Sequence, residues 1–247
     1  MPKRKKKAVK ELKKKLHIVC EGEKTEPNYL RSYIRDIYSQ QKLLDVIDIP
    51  DIRVNTPKAL VSAAKQLKKT DAIHKDDIYW VVYDREEVSE CPDNLHKQAY
   101  DDAKRNNINV AFSNVCFELW ILLHFTKTTA AYTSFINLKS QSNLILGLKS
   151  LGMKGSYEKG DQDIYHLIKN GVLNARKEAK IMNKLILNAS IFTEEEPYKL
   201  NPYTNFYELL DAIDNFLSPQ NKKQIWKKIH KIYHNPWLKC PYKNRVS

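Results

Sequence analysis

With 247 residues, the chain can bury one sizeable core and is too short for two full-sized domains. Its 42% hydrophobic and 29% charged residues exclude a disordered chain, and no apolar run nears the roughly 20 residues of a membrane-spanning helix. The net charge of +13 sits at the two ends: residues 1–15 hold nine Lys/Arg against Glu11, residues 218–247 hold eight with no Asp or Glu, and the body between is mildly acidic.

Six glycines are few for this length, which argues for helices joined by short loops rather than a glycine-punctuated all-β fold. The four cysteines (Cys20, Cys91, Cys116 and Cys240) form no C-x-x-C pair and no disulfide framework. Cys20 and Cys116 sit in apolar stretches and read as buried, reduced thiols. The basic start, with Lys3, Arg4, Lys5, Lys6 and Lys7, lacks the apolar run of a signal peptide, so the expected location is cytoplasmic, without membrane contact.

In chain order, residues 1–15 form a basic arm. Residues 16–20 are a short apolar run with β-branched members, ended by Glu21-Gly22: a strand entering a turn. Thr25 is placed to cap a helix opening with Glu26-Pro27, along which Tyr29, Leu30, Tyr33, Ile34 and Ile37 recur at helical spacing. Residues 46–54 read as a second strand, at an edge because Pro50 interrupts it. Thr56-Pro57 opens a helix with Leu60, Val61, Ala64 and Leu67 on one face.

Residues 78–83 are almost continuously apolar, the pattern of a strand buried on both faces of a parallel sheet, and Asp84 follows at once. A polar helix over 93–105, a strand over 108–112 and an apolar helix over 117–125 complete the alternation. Crossovers too long for hairpins imply an α/β core over 16–126, its central sheet mostly parallel, four-stranded and flanked by helices.

Beyond residue 130 strand signals vanish. Residues 163–189 and 205–217 read as helices with a turn at 200–204, so 127–217 is expected to complete the domain with helices. The stretch 218–247 is a basic, partly helical tail, with Ile225, Ile229, Ile232 and Tyr233 on one face and Lys222, Lys223, Lys227, Lys228 and Lys231 away from it. Trp226, Tyr233 and Trp237 among those lysines suit stacking on bases. Basic ends imply phosphate contact through counterion release, giving affinity for nucleic acid without sequence preference. A solvated tail is the plainer alternative. His230, His234 and Cys240 superficially suggest zinc, but no neighbouring cysteine pair supplies the remaining ligands.

Open parallel sheets bind ligands outside the carboxyl ends of their strands. Acids stand at two of those ends: Glu21 after the first strand, Asp84 and Glu86 after the third. Glu26 follows one turn into the first helix. Asp84 and Glu86 share one face of an extended segment, and Glu87 does not. Clustered carboxylates repel one another unless a cation sits among them, and hard oxygen ligands suit Mg²⁺. A metal so held polarises a phosphodiester and activates water. Acids at strand ends also cap helices, so a structural role stays open.

The run Val19-Cys20-Glu21-Gly22-Glu23-Lys24-Thr25-Glu26-Pro27-Asn28-Tyr29-Leu30 resembles the first motif of Toprim domains. Val81-Val82-Tyr83-Asp84-Arg85-Glu86 is similar to their Asp-x-Asp motif, with Glu in the second place. Ser113-Asn114-Val115-Cys116-Phe117-Glu118-Leu119-Trp120, running on to His124-Phe125, is similar to one branch, the RloB-like proteins, with Val115 where that branch carries proline. Tyr157-Glu158-Lys159 and Asn201-Pro202-Tyr203-Thr204-Asn205 look like later motifs of the same branch. The motifs span roughly 16–217 in order.

The resemblance implies a Toprim-like Rossmannoid fold related to nucleases of the overcoming-lysogeny-defect type. It also implies a prokaryotic antiviral or abortive-infection setting and a partner ATPase of the ABC/AAA class. Under it, Glu21 and Glu26 hold one metal near the general-base position, and Asp84 and Glu86 hold the same or a second metal. Glu118 is then a further ligand, and Lys159 faces the pentacoordinate phosphate. The plainer readings are a first-turn acid for Glu118 and a surface lysine for Lys159. His124 reads as a core histidine rather than a base, and Asn114 as a helix cap rather than a residue orienting a phosphate.

The expected activity is Mg²⁺- or Mn²⁺-dependent cleavage of RNA such as tRNA, or of DNA. The alternative is a catalytically inactive adaptor that binds nucleic acid or an ATPase. No Walker-type glycine loop is present, so nucleotide hydrolysis would belong to a partner chain. A homo-oligomer stays open.

Overall fold

The computed structural model describes residues 13–38, 46–70, 74–86 and 91–217. Strands and helices alternate through the first half: β1 (Leu16–Cys20), α1 (Thr25–Ile37), β2 (Ile47–Asp48), α2 (Pro57–Leu67), β3 (Ile78–Asp84), α3 (Asp93–Arg105), β4 (Asn109–Asn114) and α4 (Glu118–Leu122). The second half is mainly helical: α5 (Phe135–Gln141), α6 (Leu144–Ser150), α7 (Ile164–Ile168), α8 (Val172–Ala189) and α9 (Phe206–Leu217). One strand lies within it, β5 (Tyr203–Thr204).

The sheet has the order β2-β1-β3-β4-β5. The first three pairings are parallel and β4 with β5 is antiparallel. Residue alternation divides the core in two. Leu16, Ile18 and Cys20 of β1, Trp80 and Val82 of β3 and Ala111 of β4 face the larger core, under α1, α4 and the later helices. Val19, Tyr79, Val81, Tyr83 and Phe112 face the other, closed by Leu60, Val61 and Ala64 of α2 and Ala99 and Ala103 of α3. Burial on both faces explains why β3 is apolar throughout.

The expected mostly parallel sheet flanked by helices, with a helical carboxyl half, is therefore present. Its details differ in four places. The sheet has five strands, because residues 203–204 of the expected turn pair with Ser113 and Asn114. Side-chain amides hold this two-residue strand from both sides. Asn205 Oδ1 accepts from the Phe112 amide at 2.7 Å, and its Nδ2 donates to Val110 O. On the outer edge Asn183 donates to Thr204 O and accepts from its amide.

The strand expected over 46–54 shrinks to Ile47–Asp48, since Pro50 has no N–H and its carbonyl accepts locally from Ile52. It does lie at the sheet edge. The helix expected over 163–189 is broken by a 3₁₀ turn at Lys169–Gly171, where glycine is a poor helix former. Thr25 lies inside α1; Lys24 takes the cap position without a side-chain bond. Thr56 does cap its helix, accepting from Ala59 N at 3.3 Å with Pro57 following.

Candidate metal centre

The carboxyl edge of the sheet brings distant acids together. Glu21 follows β1, Glu26 sits in the first turn of α1, Asp84 ends β3, Glu86 lies two residues on, and Glu118 opens α4. Lys159 comes from the loop between α6 and α7. With Gly22, Thr25 and Phe117, these six side chains line one cavity of about 80 Å³. All the carboxylates and the lysine singled out in the sequence thus converge. Glu87 lies outside the described residues, as do Lys3, Arg4, Lys5, Lys6, Lys7, Lys222, Lys223, Lys227, Lys228, Lys231 and the His230, His234 and Cys240 group.

Three of the acids are almost sealed from water: Glu26 is 5%, Asp84 7% and Glu118 1% exposed. Five of the six side chains have a tie to another residue. Glu21 Oε2 accepts from the Asp84 amide at 3.2 Å, and Asp84 Oδ2 accepts from the Phe117 amide at 2.9 Å. Tyr157 donates its hydroxyl to Glu118 Oε1 at 3.0 Å. Lys159 Nζ stands 3.8 Å from Glu86 Oε1 and lies over the Phe135 ring. The Glu26 carboxylate lies so close against Gly22 that a β-carbon there would collide with it. Only glycine fits that turn without moving the acid.

Burial and crowding show in the titration of these groups. Burial raises Glu21 to about 7; the Asp84 amide opposes the rise and Glu86 adds to it. Burial likewise takes Glu26 to about 7, opposed by its own amide and reinforced by Glu118 and Glu21. Asp84 is pushed well above the ordinary carboxylate range by burial, then by Glu26, Glu86 and Glu118. Burial opposes the charge on Lys159, yet Glu118, Glu86 and Asp84 together hold it above the ordinary lysine value.

Among the described residues, no group of three or more His, Cys, Asp or Glu side chains is already arranged to hold a metal ion. Like charges repel across the cavity, and the local ties just named draw the carboxylates toward separate partners. The donor chemistry nevertheless fits a hard divalent cation. The oxygens are carboxylate, and Glu118 Oε2 is buried with no hydrogen-bond partner.

Neighbouring residues have structural duties. His124 is the core histidine expected: Nδ1 bonds Trp120 O, Nε2 bonds the Tyr29 hydroxyl, and burial lowers it to about 4. Asn114 does not cap a helix. It ends β4 and donates to the carbonyls of Tyr198 and Leu200, a buried acceptor pair that outcompetes the exposed cap role. Cys20 and Cys116 are free and buried, as expected.

Arg85 carries a role that the sequence reading missed. It is 3% exposed and bonds Tyr198 O, Cys91 O and Asp93, bracing the segment between the two acids of the Asp-x-Glu motif. Strand alternation was the available signal, since the residue between two cleft-facing acids must face away.

A mostly parallel sheet with one acid after β1, an Asp-x-Glu pair after β3 and a helix-opening acid after β4 defines a Toprim-like Rossmannoid protein. Within that class the chain belongs to the RloB-like protein family, whose profile matches residues 16–213. No curated protein and no solved structure matches the chain. No described helix is long and apolar enough to cross a membrane.

Proposed function

We propose that this chain is a divalent-metal-dependent nuclease that cleaves RNA, such as tRNA, or DNA in prokaryotic antiviral or abortive-infection defence, under the control of an ABC/AAA-type ATPase partner. The observation that carries the reading is the convergence of Glu21, Glu26, Asp84, Glu86 and Glu118 on one small cavity at the carboxyl edge of the sheet. Membership of the RloB-like family supports a nuclease-like, defence-associated role in general terms.

Glu21, Glu26, Asp84 and Glu86 would hold Mg²⁺ or Mn²⁺, with Glu118 as a further ligand. When bound, such an ion supplies Lewis acidity to the phosphodiester. The protein's own part is to orient and to move protons. Glu21 and Glu26, raised to about 7 by burial in the cleft, would give up their protons on taking the ion and serve near the general-base position. Lys159 stays charged beside the acids and would face the phosphate as a point charge. The basic stretches 1–15 and 218–247 would add sequence-independent phosphate affinity.

The competing reading is a catalytically inactive nucleic-acid- or ATPase-binding adaptor. It is favoured by the fact that the described acids do not yet form a ligand group. Purified protein incubated with single-stranded DNA, duplex DNA and tRNA, each with Mg²⁺, Mn²⁺ or EDTA, separates the two. Cleavage in metal, absent in EDTA and abolished by Glu21→Ala and by Asp84→Ala in folded protein, is the expected result. Binding without cleavage supports the adaptor, and equal cutting by wild type and both variants removes the proposed site.

A further inference from the structure

Glu118 opens α4 and its carboxylate is shut away from solvent. Oε1 accepts from the Tyr157 hydroxyl, while Oε2 is buried without a hydrogen-bond partner on a residue that lines the cleft. A buried carboxylate oxygen left bare is costly, and one that borders a cleft is placed to meet another group there. Tyr157 is itself 0% exposed, and a buried phenol hydroxyl needs an acceptor.

The loop that carries Tyr157 is pinned from three directions. Lys139 Nζ donates to Tyr157 O at 3.2 Å, and Asn28 Nδ2 donates to Gly160 O at 3.4 Å. Gly160, at φ +88, packs so tightly on Lys24 that a β-carbon would stand 2.8 Å from its Cβ. Lys159 is two residues beyond Tyr157 and also reaches the cleft, its ammonium 4.8 Å from the centre of the Phe135 ring. Tyr157 and Lys159 therefore reach the acids from one rigid loop.

We propose that Tyr157 is a positioning residue: by occupying Oε1 it fixes Glu118 so that Oε2 alone is offered to a divalent cation in the cleft. The assignment rests on the metal-dependent reading above and adds to it an orientation of the Glu118 carboxylate set by a residue that touches no substrate. Outer-shell ties of this kind orient ligating carboxylates, and losing one typically weakens metal binding about 10–100-fold.

Tyr157→Phe deletes the hydroxyl and keeps the ring packed beside Phe135. Mn²⁺ titrated into the full chain, with free Mn²⁺ followed by electron paramagnetic resonance, reads affinity independently of cleavage. Tyr157→Phe is expected to raise the Mn²⁺ Kd about 10-fold or more. In a Glu118→Ala background the same change should add roughly two-fold or less, because the tie it removes is already gone. A wild-type Kd in Tyr157→Phe overturns the assignment, as does an undiminished further loss in the Glu118→Ala background. Should Glu21→Ala lose Mn²⁺ while Tyr157→Phe keeps it, the positioning role falls and the metal reading stands. If the wild-type chain takes up no Mn²⁺, both fall together.

Discussion

The sheet carries buried carboxylates at both ends of its strands, and their surroundings are opposite. At the amino ends, Asp77 accepts from the Lys15 amide at 2.6 Å and the His74 amide at 3.1 Å, and stands 3.4 Å from His17 Nε2. Asp48 meets the other ring nitrogen of His17 at 2.9 Å, and the ring stacks on Tyr79. The His17 hydrogen bond holds Asp48 below the ordinary carboxylate value despite its partial burial. At the carboxyl ends, acid faces acid and Glu21, Glu26 and Asp84 are all pushed up. One fold thus spends its carboxylates in two ways. Matched donors turn them into structural ties; crowding and burial raise their hold on protons.

The largest expected effect separates chemistry from architecture. Asp77→Ala strips the acceptor from two backbone amides at a side chain only 2% exposed, so stability should fall by about 3 kcal/mol, or about 9 °C in Tm. Cleavage per folded molecule should not change, because no atom of this cluster lines the cleft. Thermal melts paired with single-turnover cleavage below the melting range check this. A loss of cleavage matching that of Asp84→Ala would erase the distinction between the two ends.

A smaller effect has the opposite sign. In EDTA at pH 8, Glu26 is a buried charge beside Glu118 and Glu21. Glu26→Gln keeps the shape and removes the charge, so Tm should rise by about 3 °C or more. Added Mn²⁺ should then stabilise the variant less than it stabilises the wild type. A lower Tm for Glu26→Gln in EDTA would show that Glu26 is a structural tie after all.

How much of this was legible in the sequence follows from range. Glu21-Gly22 and Asp84 could be read because each ends a run of apolar residues that only a buried strand explains. Tyr157 could be quoted as part of a motif but given no role, because its partner Glu118 lies 39 residues away. Strand β5 was invisible for a similar reason: two residues give no period, and amides from Asn183 and Asn205 hold them. Asn114 misled because its acceptors, Tyr198 O and Leu200 O, are 84 and 86 residues distant. Local pattern placed the acids at one edge of the sheet; the hydrogen bonds that orient Glu21, Asp84 and Glu118 are long-range.

The smallest effect follows the two ends through pH. An acid whose folded pKa is raised binds protons more readily folded than unfolded, so stability falls as pH rises from its ordinary value through about 7. Glu21 and Glu26 should therefore make the protein more stable as pH drops from 8 to 6.5 in EDTA, by about 1.5 kcal/mol together, or about 5 °C. Below that range His96 and His124, both lowered to about 4 by burial first, work the other way. They must charge on unfolding, so their contribution is lost as pH falls from the ordinary histidine value toward 4. Further down, the stability that Asp48 gains from His17 is lost as pH falls through its depressed folded value. Asp84, raised as well, adds to the glutamates, so below pH 6.5 the Tm should go on rising, less steeply because the two histidines oppose it. Melts from pH 8 to 4 in EDTA trace the curve. Glu26→Gln should lower the slope from pH 8 down to the ordinary glutamate value and leave the lowest arm, where Asp48 loses its tie to His17, unchanged; a wild-type Tm that stays flat or falls between pH 8 and 6.5 would mean the cleft acids are not crowded in solution.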